Sequence, residues 1–202
     1  FSPDGEWIGF FTGNQLKKIS VAGGAPLTIA AVPPVVRGAT WSADGTIYLT
    51  PAYADSIFKV AASGGSPAPA TTLENGESNH LLPHALPGGT ALIFTVWTGG
   101  SFAESSVWLW SPATGRRRKL IDAASNARYA STGHLVFARG GALLAVPFDL
   151  VRQEVTGGPL PVADGVLINP ANGTAEFAVS STGTLVYAEK SAAPNRSSIV
   201  WV

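Results

Sequence analysis

The 202-residue sequence contains neither cysteine nor methionine. The lack of cysteine excludes disulfides, thiol nucleophiles and cysteine-held metal centres. The lack of methionine means that the chain cannot start at its own initiation codon, so we expect it to be a piece of a longer protein. Charged residues are also scarce, at 13% of the chain, which is about half the usual share.

No sign of charge dominates, because 13 basic residues balance 13 acidic ones. This balance gives no reason to expect a nucleic-acid or anionic-membrane partner. No apolar run approaches the roughly 18 residues that span a bilayer, so we expect no direct membrane insertion. Hydrophobic residues make up 46% of the chain, which favours a folded protein with well-covered strands over a disordered one.

A short turn motif recurs along the chain. In its clearest copies, residues 1–5 (FSPDG) and 41–45 (WSADG), the motif ends in a glycine and an apolar strand follows. The corresponding glycines are 5, 45, 89, 133 and 183, at steps of 40, 44, 44 and 50 residues. Proline and aspartate suit the middle of such a turn, and the glycine supplies the left-handed conformation that a β-branched residue would resist.

This period predicts an all-β fold, a β-propeller with four-stranded antiparallel blades. We expect a single domain over residues 1–202 with about five repeats, at about 1–35, 36–78, 79–123, 124–172 and 173–202. No segment has a sustained helical period, so almost no helix is expected.

The terminal repeats are predicted to be incomplete. Only Phe1 and Ser2 remain for the inner strand of the first blade, and the last blade has no sequence for a fourth strand. We therefore expect an incomplete ring whose open blade edges favour association between chains.

The motif in residues 1–5 resembles the WD40-like repeat called PD40, found in TolB-type propellers. Residues 127–150 (ARYASTGHLVFARGGALLAVPFDL) and the terminal IVWV resemble the C-terminal propellers of bacterial membrane-anchored serine/threonine kinases. The kinase glycine-rich loop, HRD and DFG motifs are all missing from the sequence, so the resemblance does not extend to kinase activity.

The resemblance implies a noncatalytic sensor or protein-interaction propeller in a larger bacterial signalling or TolB-like protein. It also implies an extracytoplasmic location, on the periplasmic or cell-surface side. The expected partner is a protein or a small polar or anionic ligand, and no cofactor is expected. Two alternatives stay open: a propeller hydrolase or lyase with its site at the channel mouth, and a scaffold beside a separate catalytic domain.

Two features invite a binding interpretation that the local sequence weakens. His80 and His84 flank Pro83 in an expected inner strand, where their α-carbons would stand about 13 Å apart, too far for one metal ion. The basic run 116–119 (RRRK) follows a turn into an expected outer strand. Lysine and arginine at such an edge discourage pairing with other sheets, so we interpret this run as a solvated edge.

The candidate binding residues lie at the starts of the expected inner strands, which in a propeller face the mouth of the central channel. They are Arg37, Asn79 or His80, Asn126 or Arg128, and Glu176. Propeller enzymes of the calcium-dependent lactonase type hold calcium there through oxygen ligands. Arginines instead favour an anionic or polar ligand. The sequence therefore predicts a channel-mouth site with Arg37, His80, Asn126, Arg128 and Glu176 as its candidates and no bound metal.

Overall fold

A computed structural model describes residues 1–51, 55–169, 172–180, 182–190 and 197–201. These residues form five antiparallel sheets that follow one another along the chain. The first sheet contains β1 (Trp7–Thr12), β2 (Gln15–Ser20) and β3 (Leu27–Ala31). The second contains β4 (Ala39–Trp41), β5 (Thr46–Leu49), β6 (Phe58–Ala61) and β7 (Ala68–Pro69). The third contains β8 (Asn79–Ala85), β9 (Leu92–Trp97), β10 (Ser106–Trp110) and β11 (Arg117–Ile121).

The last two sheets differ in size. The fourth contains β12 (Ser125–Ala130), β13 (His134–Arg139), β14 (Ala142–Asp149), β15 (Glu154–Val155) and β16 (Leu160–Ala163). In it, β14 pairs with both β15 and β16. The fifth contains β17 (Phe177–Val179), β18 (Leu185–Lys190) and β19 (Ser197–Trp201). The only helices among the described residues are two short 3-10 turns, Pro87–Gly89 and Phe102–Glu104. Neither is long and apolar enough to span a membrane.

The repeat glycines have the predicted turn geometry. Gly5, Gly45, Gly89, Gly133 and Gly183 all have a positive φ, between 68° and 88°. Most other residues would be strained in this conformation. The prediction of a propeller built on a recurring glycine turn is therefore confirmed.

The turn aspartates also act as predicted. The Asp44 carboxylate accepts the backbone N–H of Thr46 at 3.0 Å, and the Asp4 carboxylate accepts that of Glu6 at 3.0 Å. They cap the turns through local hydrogen bonds, as aspartate commonly does.

The core is divided among the joins between neighbouring sheets. Alternate residues of one strand pack on opposite sides: Ile47 and Leu49 pack toward the first sheet, whereas Tyr48 packs toward the third. In β13, Phe137 packs toward the third sheet and Val136 toward the fifth. Burial on both faces explains the apolar composition of these strands.

The two terminal sheets have three strands each. A hydrogen bond from Ser2 N to Trp7 O, 2.8 Å long, corresponds to the bond from Ser42 N to Thr46 O in the second sheet. Hence β1 corresponds to β5, the second strand of its blade, and its channel-side neighbour is missing from the described residues. The prediction of incomplete terminal blades is confirmed for that part of the chain.

No buried apolar cluster of the described residues joins the fifth sheet to the first, whereas one lies at each of the other joins. The sheets therefore form an arc around a centre. Each sheet falls within one predicted repeat, and the repeat boundaries themselves stay a prediction.

Candidate functional site: the central cavity

A cavity of about 530 Å³ lies at the centre of the arc. Residues from all five sheets line it. Those that matter most for its chemistry are Phe11 of β1, Trp41 of β4, His84 of β8, Arg128 and Tyr129 of β12, and Phe177 of β17. The cavity thus combines aromatic walls with two nitrogen-bearing side chains.

One position of the repeat supplies a cavity residue from each of four neighbouring blades. Thr40, His84, Arg128 and Ala178 each stand five residues before their repeat glycine, and all four line the cavity. The repeat therefore places one side chain per inner strand at the same level around the centre.

A left-handed residue two positions earlier breaks the alternation of the inner strands. Gly38, Leu82 and Asn126 occupy this position, with φ of 111°, 55° and 52°. In β8 and β12 the strand register shifts there, as in a β-bulge. At Gly38 a Cβ atom would lie 2.9 Å from the Leu82 Cα, so the neighbouring inner strand leaves no room for a side chain.

Arg128 is the cation of the cavity. Its Nη1 donates a hydrogen bond of 3.2 Å to the Pro83 carbonyl, and no ion pair with a described carboxylate accompanies it. A guanidinium has five N–H donors, so most of them remain for other partners. Burial lowers the pKa of Arg128 to about 10, which leaves the side chain charged at neutral pH.

His84 stands beside this arginine. Burial, helped by the charge of Arg128, lowers the pKa of His84 to about 3. The imidazole is therefore neutral at neutral pH, with one nitrogen as a donor and the other as an acceptor. No carboxylate belongs to the described lining, so the cavity carries a net positive charge.

A second polar cluster lies between the second and third blades, away from the cavity. We call it the interface network; it consists of Thr71, Glu74, Glu77, His80 and Arg117. The His80 ring lies 2.8 Å from the Thr71 hydroxyl through Nδ1 and 3.1 Å from Glu77 through Nε2. Arg117 pairs with Glu77 at 2.9 Å and with Glu74 at 2.8 Å.

The interface network is structural in its geometry. His80 is fully buried, and Thr71 is only 5% exposed. The Thr71 hydroxyl also accepts the backbone N–H of Ile57 at 3.0 Å. Although the hydroxyl, imidazole and carboxylate are arranged in a row, these contacts occupy the threonine oxygen and join the two blades.

The structure places Arg37 and Asn126 at joins between blades. The Arg37 backbone N–H donates to Thr50 O at 2.8 Å, and its carbonyl accepts Leu82 N–H at 3.1 Å. The Asn126 amide Nδ2 donates to Ala175 O at 2.8 Å, which links the fourth blade to the fifth. Asn126 is fully buried, and neither residue belongs to the cavity lining.

The other three candidates separate as well. His80 belongs to the interface network, Glu176 is exposed on the run into β17, and Arg128 lines the cavity. The expected convergence of the candidates on one opening is therefore not found, because only Arg128 reaches the cavity. A role of the other four in binding stays a prediction.

The other two sequence interpretations have different outcomes. His80 and His84 leave β8 in different directions, one into a blade join and one into the cavity, and no group of three metal-ligating side chains occurs among the described residues. The basic run is only partly a solvated edge. Arg118 and Lys119 are exposed, but the Arg117 side chain is 10% exposed and ion-paired.

Sequence reasoning missed the cavity roles of Thr40, His84 and the aromatic residues. A usable signal is present: these polar residues stand at a fixed distance before the repeat glycine, whereas the strand starts do not. Gly38 also marks the left-handed position that shifts the register. Leu82 in the same position gives no such mark, so the shift in β8 cannot be read locally.

The sequence matches no protein-family model and no curated protein. The fold does match solved structures. Regucalcin from Agrobacterium tumefaciens, a calcium-binding protein, aligns with a TM-score of 0.65 at 16% identity, over 94% of this chain and 65% of that protein. TolB from Acinetobacter baumannii aligns with a TM-score of 0.63 at 17% identity, over 93% of this chain and 45% of TolB.

A third match is an oligogalacturonate lyase solved in complex with manganese. It aligns with a TM-score of 0.63 at 14% identity, over 92% of this chain and 52% of the lyase. The chain thus spans less than two thirds of each of these proteins. Together they establish the β-propeller fold, which enzymes, TolB and sensor domains share, and no specific function follows from it.

Proposed function

We propose that this chain belongs to a PD40-type, TolB-like propeller and acts as a noncatalytic sensor or protein-interaction domain of a larger bacterial protein. The proposal includes an extracytoplasmic location, which rests on the family resemblance alone. One observation supports the binding role above all others: the central cavity carries, between aromatic walls, a cation with which no described carboxylate pairs.

The size and lining of the cavity suit a ligand. Ligand sites typically enclose about 300–1,000 Å³ and combine apolar walls with a few polar groups. This cavity encloses about 530 Å³, with Trp41, Tyr129 and Phe177 beside Arg128 and His84. A protein partner could insert a side chain or a chain end into the same space.

The cavity does not fit a calcium ion. Calcium takes oxygen ligands, usually with several carboxylates among them. The described lining offers the Arg128 guanidinium and the His84 imidazole and no carboxylate. The calcium binding of regucalcin is therefore not assigned to this cavity.

The cavity also supports binding better than acid–base catalysis. An effective general base has a pKa near the working pH. The pKa of His84, lowered to about 3 by burial and by Arg128, makes this imidazole a weak base at neutral pH. The propeller-enzyme alternative therefore lacks a suitable base among the described lining residues.

A cavity-blocking variant tests the proposal. Ala178 lines the cavity from β17, so Ala178→Trp should fill part of the space. Val151, 94% exposed outside the cavity, supplies the control Val151→Trp. We would screen the purified protein by NMR against small anionic, neutral and cationic organic molecules.

We expect saturable binding of at least one of these three classes of molecule, with the ligand recovered unchanged. The binding should be lost in Ala178→Trp and kept in Val151→Trp. Binding that is unchanged in Ala178→Trp would show that the ligand does not bind in the central cavity. Steady conversion of the ligand to a product would favour the enzyme alternative.

A further inference from the structure

We infer that the central cavity is built for a carboxylate carried on an aromatic or aliphatic body. The carboxylate would pair with Arg128, and the apolar body would pack against the aromatic walls. This inference rests on the proposed binding function and specifies its ligand.

The first argument is the pairing of Arg128. Among the described residues, the Arg128 guanidinium donates to one backbone carbonyl, Pro83 O, at 3.2 Å. Arg128 is half-buried. Partial burial of a cation without an anionic partner is costly, and a bound anion offsets that cost. The planar fork of a guanidinium matches a carboxylate through two parallel hydrogen bonds. Arg128 is therefore the natural anchor of a carboxylate.

The second argument is the set of polar groups at the same level. Thr40 Oγ1 accepts the backbone N–H of Ala85 at 3.1 Å, which leaves the hydroxyl proton for another acceptor. His84 is neutral and has one N–H to donate. Thr40, His84 and Arg128 thus offer donors from three successive blades at one repeat position.

The third argument concerns the rest of the ligand. Trp41, Tyr129 and Phe177 line the cavity from the second, fourth and fifth sheets. Phe11 of β1 lines it from the first sheet and is 39% exposed. A molecule with an apolar body would cover these rings, whereas a small inorganic anion would leave them in contact with water.

The number of charges favours a carboxylate over a phosphate or sulfate. A single cationic side chain lines the described part of the cavity, and His84 resists protonation. One guanidinium balances one negative charge. A doubly charged phosphate would retain an uncompensated charge in a partly desolvated site.

Two sources of such a carboxylate share this chemistry: a free organic acid and the C-terminal carboxylate of a peptide. Phenylacetate represents the first, and acetyl-Ala-Phe with a free C-terminus represents the second. Phenylacetamide and acetyl-Ala-Phe-amide are their uncharged counterparts, and sodium sulfate is the inorganic control.

Binding would be measured by isothermal titration calorimetry on the purified protein, for wild type, Arg128→Met and Arg128→Lys. The matched control is Arg152→Met, because Arg152 is an arginine outside the cavity with a 75% exposed side chain. We expect Arg128→Met to bind each carboxylate probe about 10- to 100-fold more weakly, the usual worth of a charge-assisted pair. Arg152→Met should bind like wild type, and each amide should match the weakened affinity.

Arg128→Lys keeps the charge and loses the fork, so it should show an intermediate affinity. This variant also keeps the inference testable if Arg128→Met fails to fold. Tighter binding of the peptide than of phenylacetate would assign the site to chain ends, and the reverse order to free acids.

Equal binding of the amides, or unchanged binding by both Arg128 variants, would overturn the inference. Preferential binding of sulfate would also overturn it, as an inorganic-anion site. If neutral or cationic molecules bind and Ala178→Trp blocks them, the proposed binding function stands and only the ligand class is wrong. If no molecule responds to Ala178→Trp, both proposals fail.

Discussion

Arg117 and Arg128 are two half-buried cations with opposite surroundings in one propeller. Arg117, on an outer strand, pairs with Glu74 at 2.8 Å and Glu77 at 2.9 Å and lies over the Trp108 ring at 4.9 Å. Arg128, on an inner strand, donates one hydrogen bond of 3.2 Å, to the Pro83 carbonyl, within the described part of the chain. The first arginine is occupied in joining two blades, and the second faces an open cavity.

The pKa shifts of the two arginines express the same difference. Burial alone would lower the pKa of Arg117, but hydrogen bonds and charges from Glu74 and Glu77 raise it above its usual value. Burial lowers the pKa of Arg128 to about 10, with nothing to offset it. The comparison teaches that two arginines on successive strands of the chain can be fully paired in one case and left facing a cavity in the other.

The largest expected effect comes from breaking the interface network at its arginine. Arg117→Met leaves Glu77 buried without its cation, and such a loss typically costs about 3–5 kcal/mol of unfolding free energy. Urea denaturation would measure it. Lys119→Met on the same strand is the control, because its exposed ion pair with Asp122 is worth about 0–1 kcal/mol. Equal losses of unfolding free energy in Arg117→Met and Lys119→Met would show that the Arg117 ion pairs stabilise the fold no more than an exposed pair does.

Acid should weaken the fold through the two histidines whose pKa values are lowered. Burial lowers the pKa of His84 from 6.5 to about 3. Burial also lowers the pKa of His80, but the hydrogen bond and charge of Glu77 offset part of this effect. Below pH 6.5 the unfolded chain protonates His84, whereas the folded chain does not until about pH 3, so stability falls as the pH drops through this range. The lowered pKa of His80 acts in the same direction.

The slope of this loss is at most about 1.4 kcal/mol per pH unit for one histidine. His84→Gln should remove more of the acid sensitivity between pH 6.5 and about 4 than His80→Gln, because His80 has a carboxylate partner. Denaturant midpoints across that range would show it. Identical pH profiles for wild type and His84→Gln would contradict the buried, neutral state of His84.

A smaller effect is expected when only the charge of Glu77 is removed. Burial raises the pKa of Glu77, but hydrogen bonds from Arg117, the Glu74 backbone N–H and His80 outweigh it and lower the pKa. Glu77→Gln keeps the shape of the side chain but replaces the ion pair with Arg117 by a hydrogen bond from the guanidinium to a neutral amide, at a cost of about 1–2 kcal/mol. In an Arg117→Met background the same change should cost less. Additive losses would show that the two residues do not act as a pair.

The fold was more predictable from the sequence than the site. Glycine turns can be recognised because the geometry at Gly45 or Gly133 depends on a few local residues, and the recurring glycine marks it in the sequence. Burial between blades likewise requires apolar strands such as Ile47 to Leu49, and the sequence supplies them.

The positions of the site residues depend on the backbone conformation of one residue, which cannot be predicted from the local sequence. Leu82 adopts a left-handed conformation with φ of 55°, which shifts the register between His80 and His84. A one-residue slip exchanges the two faces of a strand. His80 consequently packs in a blade join, and His84 takes the position at the cavity that was expected for His80.

The outer ion pair could not be predicted for a different reason. Arg117 meets Glu74 and Glu77 only because the third blade folds back beside the end of the second. Nothing in the local sequence distinguishes Arg117 from the exposed Arg118 beside it. Pairing across about 40 residues is a tertiary property that local periodicity does not carry.

The stability of Arg128→Met tests the central claim most directly. If Arg128 serves a ligand, its removal from the unliganded protein eliminates a desolvated cation at the loss of one carbonyl hydrogen bond. We predict that the unfolding free energy of Arg128→Met equals that of wild type or exceeds it by up to about 1 kcal/mol, in the same urea titration as Arg117→Met. A loss of about 3 kcal/mol or more, comparable to that of Arg117→Met, would show that Arg128 holds the fold together and would contradict the account.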